Sequence, residues 1–210
     1  MEQFSTKQRI LEEALTLFAE KGYEAVSVAQ IADAVGIKAP SLYKHFKSKQ
    51  DIFDAIFKEM SDRYEKQTAS MQINGMEAEK DAGIYISGNE EHLIEIGKGL
   101  FLYFLHDEYT CKFRRMLTIE QYHSPELAAL HVKQYIDDTL SYQGMLFGLF
   151  VQTGYMIPEN PQIMALQFYA PMFLLLTLCD SHPERESEAI EMLEQHIRQF
   201  NRLYRTKEGL

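Results

Sequence analysis

Between Gly36 and Gln50 the chain carries Lys38, Lys44, Lys47 and Lys49, with His45 among them and no acid. Overall the 210 residues hold 21 Lys and Arg against 31 Asp and Glu, a formal net charge of −10. That balance excludes a nonspecific coat on nucleic acid, which needs a basic surface. A local cationic patch on an acidic body fits a short, aimed contact with phosphates. The segment Ser27 to Phe46 gives the patch a geometry. It reads as two short helices around Gly36, a residue suited to positive φ, and so as a helix-turn-helix. Ala32 is small where the helices cross, and Ile31, Val35, Ile37 and Leu42 bury the junction. The second helix then presents its polar residues to a major groove, N-terminal end toward the base edges. The candidate DNA contacts are Ser27, Lys38, Ala39, Ser41, Tyr43, Lys44, His45, Lys47 and Lys49. Small Ala39 and Ser41 admit the bases, and Tyr43, Lys44 and Lys47 reach phosphates. Lys49 adds its ammonium to the positive N-terminus of a fourth helix. Tyr43 and His45 have packing as an alternative role.

The elements that must position these residues follow from apolar spacing near 3.6 and from caps. No period-two alternation is sustained, so the fold class is all-α. Ser5-x-x-Gln8 opens a helix over Thr6–Glu20 that Gly22 closes. Ser27-x-x-Gln30 opens Val28–Val35, and Pro40 sits in the first turn of Ala39–Phe46. Ser48, with Asp51 three residues on, opens a helix running past Tyr64. Thr68 to Asn89 reads as a loop or a frayed end. Helices resume over Glu90–His106, Lys112–Gln121, Pro125–Tyr155, Gln162–Cys179 and Glu184–Tyr204, with Ser181-x-x-Glu184 as the last cap.

The stretch from about Gln8 to Met60 resembles the DNA-binding domain of the TetR family of regulators. Ile10, Ala14, Phe18, Gly22, Tyr23, Val28, Ile31, Ala32, Ala34, Gly36, Leu42, Tyr43, Phe46, Lys49 and Phe53 carry the resemblance. It covers about a quarter of the chain. It implies a helix-turn-helix domain over 1–48 and a larger ligand-binding and dimerisation domain over 49–210, with the helix from 49 to about 66 as connector. It also implies a homodimer on a palindromic operator in double-stranded DNA, most often as a repressor, with the last two helices paired as a four-helix bundle. A small-molecule effector in the larger domain would move the fourth helix and release the DNA. The module through Met60 is near neutral where the family pattern is basic, which points to modest affinity at physiological salt.

Beyond the resemblance, the larger domain is rich in Phe, Tyr and Met. Phe101, Phe104, Met116, Glu120, Tyr122, Met145, Phe150, Tyr169 and Phe173 are the candidates to line an apolar pocket, with core packing as the alternative. Glu95, Glu120 and Asp137 either counter a cationic ligand or face solvent. Ile163, Leu166, Ala170, Leu174, Ile190, Leu193, Ile197 and Phe200 form more apolar surface than one monomer buries and are the dimer candidates.

Other classes find little support. No phosphate loop, nucleophile triad or paired catalytic carboxylates stand out, so no enzyme is expected. His123, His131, His182 and His196 lack metal-ligand spacing, and no metal or cofactor is expected. A helical adaptor that binds protein is the remaining alternative. Cys111 and Cys179 read as reduced, buried thiols. Met1-Glu2-Gln3 carries acid where a signal peptide carries base, and Ile163–Cys179 reads as a buried helix short of a membrane span. A cytoplasmic protein is expected.

Overall fold

A computed structural model of the protein describes residues 5–206. The expectation drawn from Met1-Glu2-Gln3 lies outside them. The fold is all-α, and the described residues contain no strand, only an isolated antiparallel bridge between Met156 and Arg205. The α-helices are α1 (Thr6–Lys21), α2 (Val28–Val35), α3 (Ala39–Leu42), α4 (Lys49–Ser70), α5 (Ala78–Ser87), α6 (Glu90–His106), α7 (Glu108–Glu120), α8 (Pro125–Val132), α9 (Asp138–Gln152), α10 (Pro161–Ser181) and α11 (Glu186–Tyr204).

The chain forms two compact units, one of residues up to Tyr64 with Asp107–Val132, the other of Glu65–His106 with Lys133 onward. In the first unit the local caps form as the side chains dictate. The Ser5 hydroxyl accepts the Gln8 N–H at 3.2 Å. Ser27 and Gln30 cap each other reciprocally, each side chain accepting the other's backbone N–H. The Ser48 hydroxyl accepts the Asp51 N–H at 3.0 Å, and Asp51 in turn accepts the Lys47 N–H at 2.9 Å. Ile10, Ala14, Leu15 and Phe18 of α1 are fully buried, as are Ile31, Leu42, Ile52 and Ile56. Phe113 of α7 is fully buried as well, with its ring 6.0 Å from Phe53 and 5.8 Å from Phe57. This core therefore runs beyond the first 48 residues into α4 and α7.

The structure differs from the sequence reading in several places. The expected loop over 68–89 contains α5. The buried Asp81 carboxylate accepts the Asn74 and Gly75 N–H groups at 2.6 and 2.7 Å and the Tyr142 hydroxyl at 2.7 Å. Asn74 Oδ1 accepts from Met76 and Glu77, so side chains order the approach to α5. In the stretch expected as one helix over 125–155, a π-turn at Lys133–Asp137 separates α8 and α9. α3 stops at Leu42 and gives way to tighter turns through Phe46. α7 starts earlier than expected because Asp107 caps it, accepting the Thr110 N–H at 2.8 Å. Ser181 caps nothing: it ends α10 with its hydroxyl on Thr177 O, and a 3₁₀ turn, Pro183–Arg185, precedes α11.

α10 was expected to be buried on several sides. Met164, Ala165, Leu175, Leu176 and Cys179 are buried, yet the opposite face is exposed. By length and composition it is the one helix among the described residues apolar enough to cross a membrane. Cys179 is buried as expected, and burial pushes its thiol pKa up, whereas Cys111 is only half-buried.

Candidate nucleic-acid interface and apolar cavity

Gly36 makes the corner of the helix-turn-helix. Its φ of 75° and ψ of 31° are left-handed, and its N–H and that of Ile37 return to Asp33 O and Ala32 O at 3.0 and 2.9 Å. A side chain there is strained by the backbone alone. Arg9 Nη2 donates to Val35 O at 2.6 Å, so a charged donor from α1 satisfies an orphan carbonyl at the end of α2. With this corner fixed, Ser27, Lys38, Tyr43, Lys44, His45 and Lys47 are exposed, and Ala39 and Ser41 are half-buried. Tyr43 keeps half its surface open, at 51%. No ion pair among the described residues engages Lys38, Lys44 or Lys47. Eight of the nine candidates are thus open to solvent in whole or in part with no side-chain ion pair on their lysines, and the ninth stands apart.

The exception is Lys49. Its ammonium donates to Tyr23 O at 2.8 Å and lies 4.2 Å from the centre of the Tyr23 ring. The Glu24 carboxylate is 4.0 Å away. The cation fastens the turn after α1 to α4 and is not presented to a phosphate. The Asp51 carboxylate, which accepts the Lys47 N–H and the Ser48 hydroxyl, puts negative charge at the start of α4, which further disfavours an anion there. Tyr23 itself is buried between Phe18 and Phe53 in edge-on contacts, and its hydroxyl donates to Gln50 Oε1 at 3.0 Å. Burial first, then nearby Glu24, pushes its pKa up to about 12.

The second unit holds a partly open cavity of about 120 Å³. Its walls come from α5 (Tyr85), α6 (Ile96, Gly97), α9 (Leu146, Phe147, Phe150), α10 (Phe168, Met172) and α11 (Ile197, Phe200), and Tyr155 and Met156 also line it. The segment after α9 is tied to the end of α11: Ile157 N–H donates to Tyr204 O at 2.8 Å and Thr206 N–H to Tyr155 O at 3.1 Å. The lining side chains with polar groups are Tyr85, Tyr142 and Tyr155 and the amides Gln143 and Asn201. Burial pushes Tyr85 and Tyr142 up, Tyr85 to about 12, so both hydroxyls keep their protons at neutral pH. Among the described residues no charged side chain lines the space.

Of the expected pocket residues only Phe150 lines this cavity. Met116 and Glu120 are buried in the first unit, where Glu120 Oε1 accepts the Glu24 N–H at 3.3 Å. Tyr122 is 82% exposed and Met145 45%. Phe101 is buried in a neighbouring cluster with Leu175, Leu193 and Ile197, against which Phe104 also packs. Tyr169 donates to Tyr135 O at 2.7 Å and faces Phe173 with ring centres 5.9 Å apart. Glu95 and Asp137 are exposed. Sequence reasoning missed Tyr85, Gln143 and Asn201. The signal was present for two of them: Gln143 and Asn201 each interrupt an apolar stripe, beside Leu146–Phe147 on α9 and Ile197–Phe200 on α11.

The dimer candidates also separate. Leu193, Ile197 and Phe200 are 0%, 2% and 4% exposed. They belong to the monomer's own core because α6 and α10 already cover Leu193 and Ile197, and Phe147 of α9 and Phe168 of α10 pack on Phe200. Ile163, Leu166, Ala170 and Leu174 stand open along α10, and Ile190 is half-buried. Met192 and Leu203 are exposed apolar residues of α11 outside the expected set. Among the described residues, no group of three or more His, Cys, Asp or Glu converges as metal ligands; His196 is hydrogen-bonded to Phe168 O at 2.8 Å.

Residues 10–56 match the family model described as bacterial regulatory proteins, tetR family. A 48-residue segment is 48% identical to the biofilm operon icaADBC HTH-type negative transcriptional regulator IcaR of Staphylococcus aureus, covering 23% of this chain and 26% of that protein. The chain thus spans about a quarter of the length of that relative. Two solved structures share the fold across nearly the whole chain. One is a tetR-family transcriptional regulator from Mesorhizobium loti, 17% identical with a TM-score of 0.68, covering 96% of this chain and 97% of that one. The other is SmeT, the repressor of the Stenotrophomonas maltophilia multidrug efflux pump SmeDEF, 17% identical with a TM-score of 0.65, covering 98% and 93%. SmeT has also been solved as a complex with triclosan, TM-score 0.68 at 16% identity, covering 98% of this chain and 94% of that one.

Proposed function

We propose that this chain, which belongs to the tetR family of bacterial regulatory proteins through residues 10–56, is a cytoplasmic transcription repressor that a small molecule releases from its operator. The observation that carries the reading is the cationic face beside Gly36, where Lys38, Tyr43, Lys44, His45 and Lys47 are exposed together on a rigid corner. Ala39 and Ser41 of α3 approach base edges, Ser27 caps α2 at the groove margin, and Lys44 and Lys47 neutralise phosphates. Two chains pair through the open faces of α10 and α11 and read two half-sites of a palindrome about 34 Å apart, or a multiple of that. The apolar cavity of the second unit receives the effector. α4, along which the chain passes from one unit to the other, carries the response.

The test is binding to a duplex from upstream of the protein's own gene, followed by anisotropy over a range of salt. Each phosphate contact contributes about one unit to the slope of log K against log salt. Lys44→Ala with Lys47→Ala therefore flattens the slope by about two units, while Lys38→Ala or Ser41→Ala changes base preference. An unaltered slope in the double variant overturns the assignment of this face.

A further inference from the structure

Two side chains at the cavity wall are incomplete. Gln143 Oε1 and Asn201 Nδ2 are both buried and neither has a hydrogen-bond partner. One is an acceptor on α9, the other a donor on α11, and Asn201 is 6% exposed. A buried polar atom left unpaired is destabilising, and native folds keep few of them without a reason. An engineered apolar cavity of about 150 Å³ accepts benzene, so a space of about 120 Å³ accommodates roughly one ring. With no charged group at the wall, an ion entering it would lose its hydration without compensation.

We infer that the cavity takes an uncharged molecule of about one ring, with an acceptor for Asn201 Nδ2 and a donor for Gln143 Oε1, the chemistry of a primary carboxamide or an alcohol. The inference rests on the regulator reading only in calling that molecule the effector. It departs from the expectation of a cationic ligand, since Glu95, Glu120 and Asp137 all lie off the wall.

Calorimetric titration and thermal melting of the full chain without DNA, using benzamide, toluene and benzoate as probes, test it. Benzamide should bind at least about tenfold more tightly than toluene, and benzoate should not bind. Asn201→Leu with Gln143→Leu should erase the preference for benzamide over toluene. These variants lose orphan polar atoms, so melting should hold or rise, and unchanged helical circular dichroism verifies the fold. Gln143→Leu alone should weaken benzamide and leave toluene unchanged. Equal binding of toluene and benzamide by the native chain, binding of benzoate, or binding of none of the three overturns the inference. Duplex affinity, measured separately, keeps the regulator reading apart: benzamide binding without any DNA affinity sinks that reading and leaves the ligand chemistry standing.

Discussion

At Lys49 a residue type that suggests one role performs another. Its ammonium is held by the Tyr23 carbonyl and ring, and the side chain is only 23% exposed. Lys49→Met should therefore lower stability to urea by about 1–2 kcal/mol, from the lost charged hydrogen bond and cation–π contact. It should leave the salt slope of duplex binding unchanged. That separates it from Lys44 and Lys47, whose loss should flatten the slope without altering the urea midpoint if the proposed phosphate contacts hold. Sequence gives a lysine's charge and reach. It does not give the carbonyl, 26 positions earlier, on which this one settles. Lys38, Lys44 and Lys47 were legible because their exposure follows from the helix-turn-helix corner, which is a local matter of Gly36 and two caps.

The same division holds for elements. α1 and α2 follow from caps within three residues of the helix start, so their beginnings could be read directly. α5 was harder to read, because the Asp81 carboxylate that orders its approach is itself held by a hydroxyl 61 positions away. Asp81 holds two loop amides and Tyr142 holds Asp81, which makes the segment from Asn74 to Glu77 depend on α9. Tyr142→Phe removes one donor from a buried carboxylate and should destabilise by about 1–3 kcal/mol. The effect should appear as faster hydrogen exchange at the Asn74 and Gly75 amides. Unchanged exchange at those two positions would mean that the loop is ordered by other contacts. The π-turn at 133–137 was equally hidden, since apolar spacing continues through it.

For the whole molecule, helical spacing marked the apolar residues of α10 and α11 and not which of them the chain covers itself. Leu193, Ile197 and Phe200 repeat at helical spacing, and nothing in that spacing tells whether the covering helix is in the same chain. The fold answers for these three and leaves Ile163, Leu166, Ala170 and Leu174 uncovered. Leu174 is 68% exposed, so Leu174→Glu should not disturb the monomer. If pairing uses this face, sedimentation of the variant should show monomers where the native chain shows dimers, and duplex affinity should fall with it. A variant that stays dimeric places the pairing surface elsewhere.

A single hydrogen atom in place of a side chain lets Ile197 pack close against α6 beside the void in the second unit. Gly97 has no side chain, and a Cβ at that position would lie 2.6 Å from Ile197 Cδ1. Both residues form part of the same wall. Alanine at 97 would displace Ile197 and set its added methyl against the same space a guest needs, so the size of molecule this chain can admit is adjustable by one substitution within the second unit itself.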